Sequence, residues 1–172
     1  MAKHLAGIIP LANFKDNFKL PYDSFMLPIE NDFTLIQKSV FECAMAGCST
    51  IWIVANDDLA PIVKKHIGEW VYDPVYFWDN YIDNHIVQRR THIPIYYVPI
   101  LPKDRDKRDS YGWSALFGMH SAWWVSYRIS KWVVPKKYFV SFPHNAYNYW
   151  SLGEHRKELF NTSKTFFFTH EG

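Results

Sequence analysis

Polar side chains that could bind an anion follow the first apolar segment of the chain. The loop 13–19 contains Asn13, Lys15, Asn17 and Lys19, and it contains no glycine. Loops that hold phosphate with backbone amides usually need glycines, so neither a P-loop nor a dinucleotide fingerprint is present. Lysine ammonium groups can contact phosphate instead. These residues therefore predict either a phosphate contact or an ordinary solvated loop.

Two later polar stretches also follow apolar segments. Asn56 and Asp57 come after Ile51–Ala55, and His144 and Asn145 come after Tyr138–Phe142. Ligands of open parallel sheets bind beyond the carboxyl ends of the strands, which makes these residues candidates. We expect His144 and Asn145 to contact a sugar or a metal ion, unless the lone histidine is structural. The sequence has no G-x-S-x-G nucleophile elbow, and we name no catalytic triad.

A run of seven charged residues of both signs occupies Lys103–Asp109. Charge runs are usually exposed, so we predict a solvated, mobile loop, with a lid over a ligand site as the alternative. Within the run, Asp104, Arg105 and Asp106 have the D-x-D spacing of a glycosyltransferase metal site.

Short apolar segments alternate with helical patterns along the chain. Strands are predicted at Leu5–Ala12, Ile51–Ala55, Ile93–Leu101, Tyr138–Phe142 and Thr165–Thr169. The first predicted helix has its cap at Asn31 or Asp32, begins at Phe33 and ends at Gly47. The second has its cap at Asp57 or Asp58, extends through His66 and ends at Gly68. Two further helices are predicted at Gly112–Ser130 and Ser151–Asn161. This order predicts one α/β domain over residues 1–172, three-layered and Rossmann-like, with a mainly parallel sheet.

Five segments resemble motifs of the sugar-phosphate nucleotidyltransferases, the nucleotide-sugar pyrophosphorylases, over most of the chain. They are Ile8–Ala12 for the first strand, Phe25–Ile29 for the P-K-P-L-L-P-I motif, Ala46–Val54 for the second strand, Gly112–Leu116 for G-T-A-x-A-L, and Tyr138–Asn145 for the strand that ends in a metal-binding aspartate. The resemblance implies a GT-A-like fold of the nucleotide-diphospho-sugar transferase type. It also implies a nucleotide, nucleotide-sugar or sugar-phosphate ligand, with Ser24, Asn56, Asp57 and Gly112 at the site.

The chemical motifs of that family are altered here. Asn13–Lys19 replaces the glycine-rich loop, Ser24 replaces the phosphate-binding lysine, and His144 or Asn145 replaces the aspartate that binds magnesium. Nucleotidyl transfer depends on charge neutralisation by metal ions and cations. We therefore predict a divergent domain that binds such a ligand with little or no catalysis. Mg²⁺ or Mn²⁺ would be a cofactor only if activity is retained.

Aromatic residues make up 19% of the chain, with 13 Phe, 11 Tyr and 8 Trp, which excludes a disordered protein. Clusters at Trp70–Tyr81, Trp123-Trp124 and Tyr147–Trp150 either fill the core or form a surface. The surface interpretation predicts a non-catalytic module for protein or glycan interaction and assembly, which could form a homo-oligomer. A GT-A-type glycosyltransferase is a further alternative, based on the D-x-D spacing.

Net charge, apolar segment length and cysteine spacing limit which partners and which cellular compartment we expect. The net charge is +2 without a basic stripe, so we expect no nucleic-acid partner. No segment reaches about 18 uncharged apolar residues, so we expect no membrane partner. Cys43 and Cys48 match neither a zinc spacing nor a disulfide framework, and we predict reduced, packed thiols in a cytoplasmic protein.

Overall fold

The computed structural model describes residues 4–11, 20–76, 92–108, 110–145, 148–165 and 167, without the side chains of 106–108. Its strands are β1 (Leu5–Pro10), β2 (Pro28–Glu30), β3 (Phe33–Thr34), β4 (Thr50–Asn56), β5 (Trp70–Tyr72), β6 (His92–Ile100) and β7 (Lys137–Val140). Five of them form one sheet in the order β5-β6-β4-β1-β7, and β2 pairs with β3 separately.

Strand direction in the main sheet is mostly parallel. β1 pairs in parallel with both β4 and β7, and β4 pairs in parallel with β6. Only β5, which the sequence analysis did not predict, is antiparallel to its neighbour β6. The structure thus confirms an α/β fold with a mainly parallel sheet, in which one edge strand is antiparallel.

Helices cover both faces of this sheet. They are α1 (Leu35–Met45), α2 (Ala60–Ile67), α3 (Pro102–Arg108), α4 (Tyr111–Ile129), α5 (Trp150–Glu154) and α6 (Arg156–Asn161). Ile36 of α1 and Val63 of α2 join one buried cluster with Ile9 and Ile53, whereas Ala122 of α4 joins another with Ile8 and Val54. Side chains alternate between the faces of a strand, so the two clusters lie on opposite faces. Every residue of β1 is buried, as expected of a parallel strand covered on both sides.

The beginnings of the first two helices differ from the predictions. α1 is capped by Thr34, whose side chain accepts from the Gln37 amide in a capping box, and not by Asn31 or Asp32. α2 follows Leu59 without a side-chain cap, so neither Asp57 nor Asp58 caps it. The predicted helix ends are confirmed, since Gly47 and Gly68 have φ of 86° and 91°.

Two predictions of secondary structure are wrong, and one predicted helix is divided in two. The charged run forms helix α3 from Pro102 to Arg108 instead of a loop, because alternating charges can be solvated on a helix as well as on a coil. Thr165 and Phe167 belong to no strand, and the rest of that predicted strand lies outside the described residues. The predicted helix Ser151–Asn161 is divided at His155 into α5 and α6.

Both cysteines are buried free thiols beside β1. A Cβ on Gly7 would lie 2.8 Å from Cys43 Sγ and 3.2 Å from Cys48 Sγ. Burial raises the pKa of the Cys43 thiol, which keeps it protonated and unreactive. The prediction of packed, reduced thiols is confirmed. None of the helices in the described part of the chain has the length and hydropathy to cross a membrane.

Ionisation of Tyr97, in β6, should lower the free energy of unfolding at high pH. Its hydroxyl donates to the Gly68 carbonyl at 2.5 Å, and burial, with the charge of Glu69, raises its pKa from 10.0 to about 12. The unfolded chain therefore loses this proton first, and the contribution of Tyr97 is complete below pH 10.0 and lost by about pH 12. We expect Tyr97→Phe to lose unfolding free energy less steeply than the native chain over this interval, measured by urea titration. Equal slopes would show that the hydroxyl makes no such contribution.

Candidate functional site

The imidazole of His144 joins three segments at the carboxyl edge of the sheet. Its Nε2 lies 2.8 Å from Ser24 Oγ, in the 3-10 turn Ser24–Met26, and its Nδ1 lies 2.8 Å from Tyr111 Oη, at the start of α4. His144 itself follows β7. Both ring nitrogens therefore have a hydroxyl partner, and the ring orientation is fixed from two sides.

This arrangement brings together two residues that were identified from the sequence, Ser24 and His144, and a third that was not, Tyr111. Ser24 and His144 are 120 positions apart, yet their side chains hydrogen-bond. Tyr111 was missed, although it directly precedes Gly112, which the sequence analysis did select. Burial raises the pKa of Tyr111, so its phenol stays protonated. A neutral phenol supplies no negative charge to stabilise an imidazolium, unlike the aspartate of a Ser-His-Asp triad.

A buried ion pair supports the loop that carries His144. Lys38 and Glu42 lie on consecutive turns of α1, with Nζ and Oε1 2.7 Å apart and side chains 6% and 0% exposed. Glu42 also accepts from Ser141 Oγ, and Lys38 donates to the main-chain carbonyl of Asn145. Asn145 thus takes part through its backbone, and its side chain is on an exposed residue.

Carboxylates lie next to this group, around Arg105 of α3. The guanidinium pairs with Asp57 and with Asp58, the latter at 2.8 Å. Burial, and then the charge of Asp58, raises the pKa of Asp23, which places that carboxyl near the same edge. Arg105 therefore contacts Oδ1 of Asp57, a residue that the sequence analysis assigned to a ligand.

Two other predicted residues lie at the same edge. Asn56 is the last residue of β4, and Gly112 is the second residue of α4. A Cβ added at Gly112 would meet no described atom within 4 Å, so a ligand could approach the backbone there. Ser110 caps this helix by accepting from the Trp113 amide. The site residues Asn13, Lys15, Asn17 and Lys19 lie outside the described residues.

The donor set around His144 does not fit Mg²⁺. This ion prefers carboxylate oxygens and water, whereas Ser24 and Tyr111 offer hydroxyls and His144 offers nitrogen. Among the described residues, no group of three His, Cys, Asp or Glu side chains could hold a metal ion. The D-x-D stretch lies within α3, with Asp104 in its first turn, and does not close a strand.

The geometry is therefore that of a hydrogen-bonding site at the edge of a parallel sheet, built by the 3-10 turn, α4 and the segment after β7. Comparison of the chain with protein-family models, with curated proteins and with solved structures gave no match.

Proposed function

We propose that the chain is a divergent nucleotidyltransferase-like domain that binds a nucleotide, nucleotide sugar or sugar phosphate at the carboxyl edge of its sheet. One observation carries the proposal: His144 is held through both ring nitrogens by Ser24 and Tyr111, which come from different segments of the chain. The ring fixes the hydroxyls of Ser24 and Tyr111, and ligand contacts gain affinity when the groups that make them are preorganised.

The groups around His144 suit a phosphorylated sugar. Hydroxyl and imidazole groups exchange hydrogen bonds with sugar hydroxyls. The first turn of α4 has main-chain amides without helical partners, and Gly112 leaves their approach open. A parallel sheet also binds ligands at this edge in other α/β proteins.

Catalysis by nucleotidyl transfer has little support in the same geometry. The reaction needs positive charge and metal ions around the phosphates. Arg105 is paired with Asp57 and Asp58, and the donors around His144 do not fit Mg²⁺. We therefore propose binding without efficient transfer.

A titration of the full chain tests this function. Nucleoside triphosphates, nucleotide sugars and hexose phosphates are added with and without Mg²⁺ or Mn²⁺, and binding is followed by thermal shift and calorimetry. A ligand at 100 times its Kd should stabilise the chain by about 2.7 kcal/mol. We expect His144→Ala to weaken binding about tenfold or more, since the hydroxyls of Ser24 and Tyr111 lose the ring that positions them, and Tyr111→Phe to weaken it less, because one neutral hydrogen bond contributes about 0.5–1.5 kcal/mol.

A matched control separates this effect from a general loss of stability. His155 is also partnered, through Nδ1 and the Ser151 carbonyl at 2.9 Å, but it is exposed between α5 and α6. His155→Ala should bind like the native chain. Absence of any ligand-dependent shift at millimolar concentration, or equal affinities for the two alanine variants, would refute the proposed site.

A further inference from the structure

The long helix α4 has its small residues inside and its large ones outside. The buried positions of the helix are Ser114, Ala115, Gly118, Ala122 and Ser126. The opposite side carries Leu116, Trp123, Trp124 and Tyr127, all exposed, at the spacing of a helix face. An apolar helix stripe normally faces the core, so this outward stripe is not explained by packing of the chain itself.

The apolar surface continues past the end of the helix. Ile129 is 72% exposed and Trp132, in the 3-10 turn Lys131–Val133, is 76% exposed, with Val133 beside it. Large exposed apolar patches on a folded chain mark surfaces that contact something else. We call the four residues Leu116, Trp123, Trp124 and Tyr127, together with Trp132 and Val133, the outer face.

The charged residues in the segment that carries the outer face have one sign. From Ser110 to Gly153 the sequence has no aspartate or glutamate, whereas Arg128, Lys131 and Lys136 fall within this segment. The Arg128 guanidinium lies 5.4 Å from the Trp124 ring, and Lys131 Nζ lies 5.8 Å from the Tyr127 ring. Cations are thus held beside the aromatic rings, and an anionic partner matches them.

The shape of the outer face favours one anionic partner over another. Bases of single-stranded nucleic acid stack on free ring faces, but Trp123 and Tyr127 stack on each other, with centroids 5.2 Å apart and planes 10° apart. Val133 offers no ring at all. Trp, Tyr, Lys and aliphatic side chains together are typical of surfaces that lie in the headgroup region of a bilayer. A second copy of the chain would bring cations against cations.

We propose that the outer face docks the protein on the headgroup layer of an anionic membrane, with Trp132 inserted and Arg128 and Lys131 paired with lipid phosphates and carboxylates. Surface docking needs no spanning helix. It therefore departs from the sequence prediction of no membrane partner, which followed only from the absence of a spanning segment. The proposal is independent of ligand binding at His144.

Vesicle sedimentation of the full chain tests this docking. Phosphatidylcholine vesicles are compared with vesicles that also contain phosphatidylserine, and tryptophan emission is recorded with each. We expect binding and a blue shift with the anionic vesicles only. Arg128→Gln and Lys131→Gln should each weaken binding about fivefold, the value of one cation near an anionic surface, and added salt should weaken it further.

Matched variants on α2 provide the control. Ile62 is 56% exposed, and Lys65 is also exposed. Val133→Ser and Lys131→Gln should weaken vesicle binding, while Ile62→Ser and Lys65→Gln should not. No binding to anionic vesicles, or equal effects of the two pairs, would overturn the proposal. So would a dimer in light scattering that Trp132→Ser dissociates, or binding of a single-stranded oligonucleotide that the same variant abolishes.

Discussion

Replacing Lys38 with methionine is expected to lower the free energy of unfolding by about 3–5 kcal/mol, the usual cost of removing one partner from a buried ion pair. Glu42 would remain with a completely buried side chain and without its 2.7 Å contact to the ammonium group. Ser141 Oγ, which also donates to Glu42, is a neutral donor and does not replace the lost charge. Urea denaturation followed by circular dichroism measures the loss.

The same substitution should loosen the segment that holds the candidate site. Lys38 also donates to the carbonyl of Asn145, next to His144. Its loss leaves that carbonyl without a charged donor and frees the turn after β7. We therefore expect Lys38→Met to weaken any ligand binding at His144 in addition to lowering stability.

Two comparisons separate the buried ion pair from side-chain size. Lys64 and Glu69 form an ion pair of the same 2.7 Å length, but their side chains are 51% and 70% exposed. Lys64→Met should cost far less stability than Lys38→Met, as is usual for surface pairs. The double variant Lys38→Met/Glu42→Leu should recover much of the lost stability, because it leaves no buried charge. Equal losses for Lys38→Met and Lys64→Met would show that burial does not strengthen the pair.

The elements of the sheet were predictable because their residues repeat a simple pattern. Leu5–Pro10 and Thr50–Asn56 are short apolar runs, and such runs form buried parallel strands. The edge strand Trp70–Tyr72 was not predictable, since three aromatic and branched residues give no period and its antiparallel pairing with β6 is a tertiary contact. The predicted first residues of the helices were wrong for a related reason. Asn, Asp and Thr all cap helices, and the sequence alone did not select Thr34.

The candidate site was predictable only in part. The rule that ligands bind after parallel strands selected His144 and Asn56, and the resemblance added Ser24 and Gly112. Their hydrogen bonds were not predictable, because Ser24 and His144 are separated by 120 positions. Lys38 was missed because a lysine four residues before a glutamate is usually a solvated helix pair, whereas here both are buried under the turn after β7.

The sequence also did not show which side of α4 faces the sheet. The helical spacing predicts that Leu116, Met119, Trp123 and Tyr127 share one side of a helix. In the structure, Leu116, Trp123 and Tyr127 face outward, whereas Met119 packs against a buried cluster. Periodicity predicts which residues share a face and not which face meets the sheet. The small residues opposite them decide the orientation, because only they allow the helix axis to approach the strands closely.

Gly118 is the residue that this close approach requires, and Gly118→Ala is expected to lower the free energy of unfolding by about 1–3 kcal/mol. An added Cβ would lie 2.7 Å from Val54 Cγ2 and 2.8 Å from Ile8 Cγ2. Both neighbours are fully buried on the two central strands, so neither can move away without opening the core. Gly118→Val should cost more than the alanine variant, because its two further methyl groups extend the same overlap.

Gly112→Ala is the matched control, since it makes the same chemical change in the same helix. An alanine there meets no described atom within 4 Å, and alanine exceeds glycine in helix propensity by about 1 kcal/mol at interior positions. Gly112→Ala should therefore be neutral or stabilising in thermal and urea unfolding, opposite in sign to Gly118→Ala. Val54→Ala removes the nearest methyl, so a double-mutant cycle with Gly118→Ala should show that the two losses are less than additive. Additive losses, or a stabilising Gly118→Ala, would mean that α4 can retreat from the sheet without cost, and that its small inner face does not fix the orientation of the aromatic outer face.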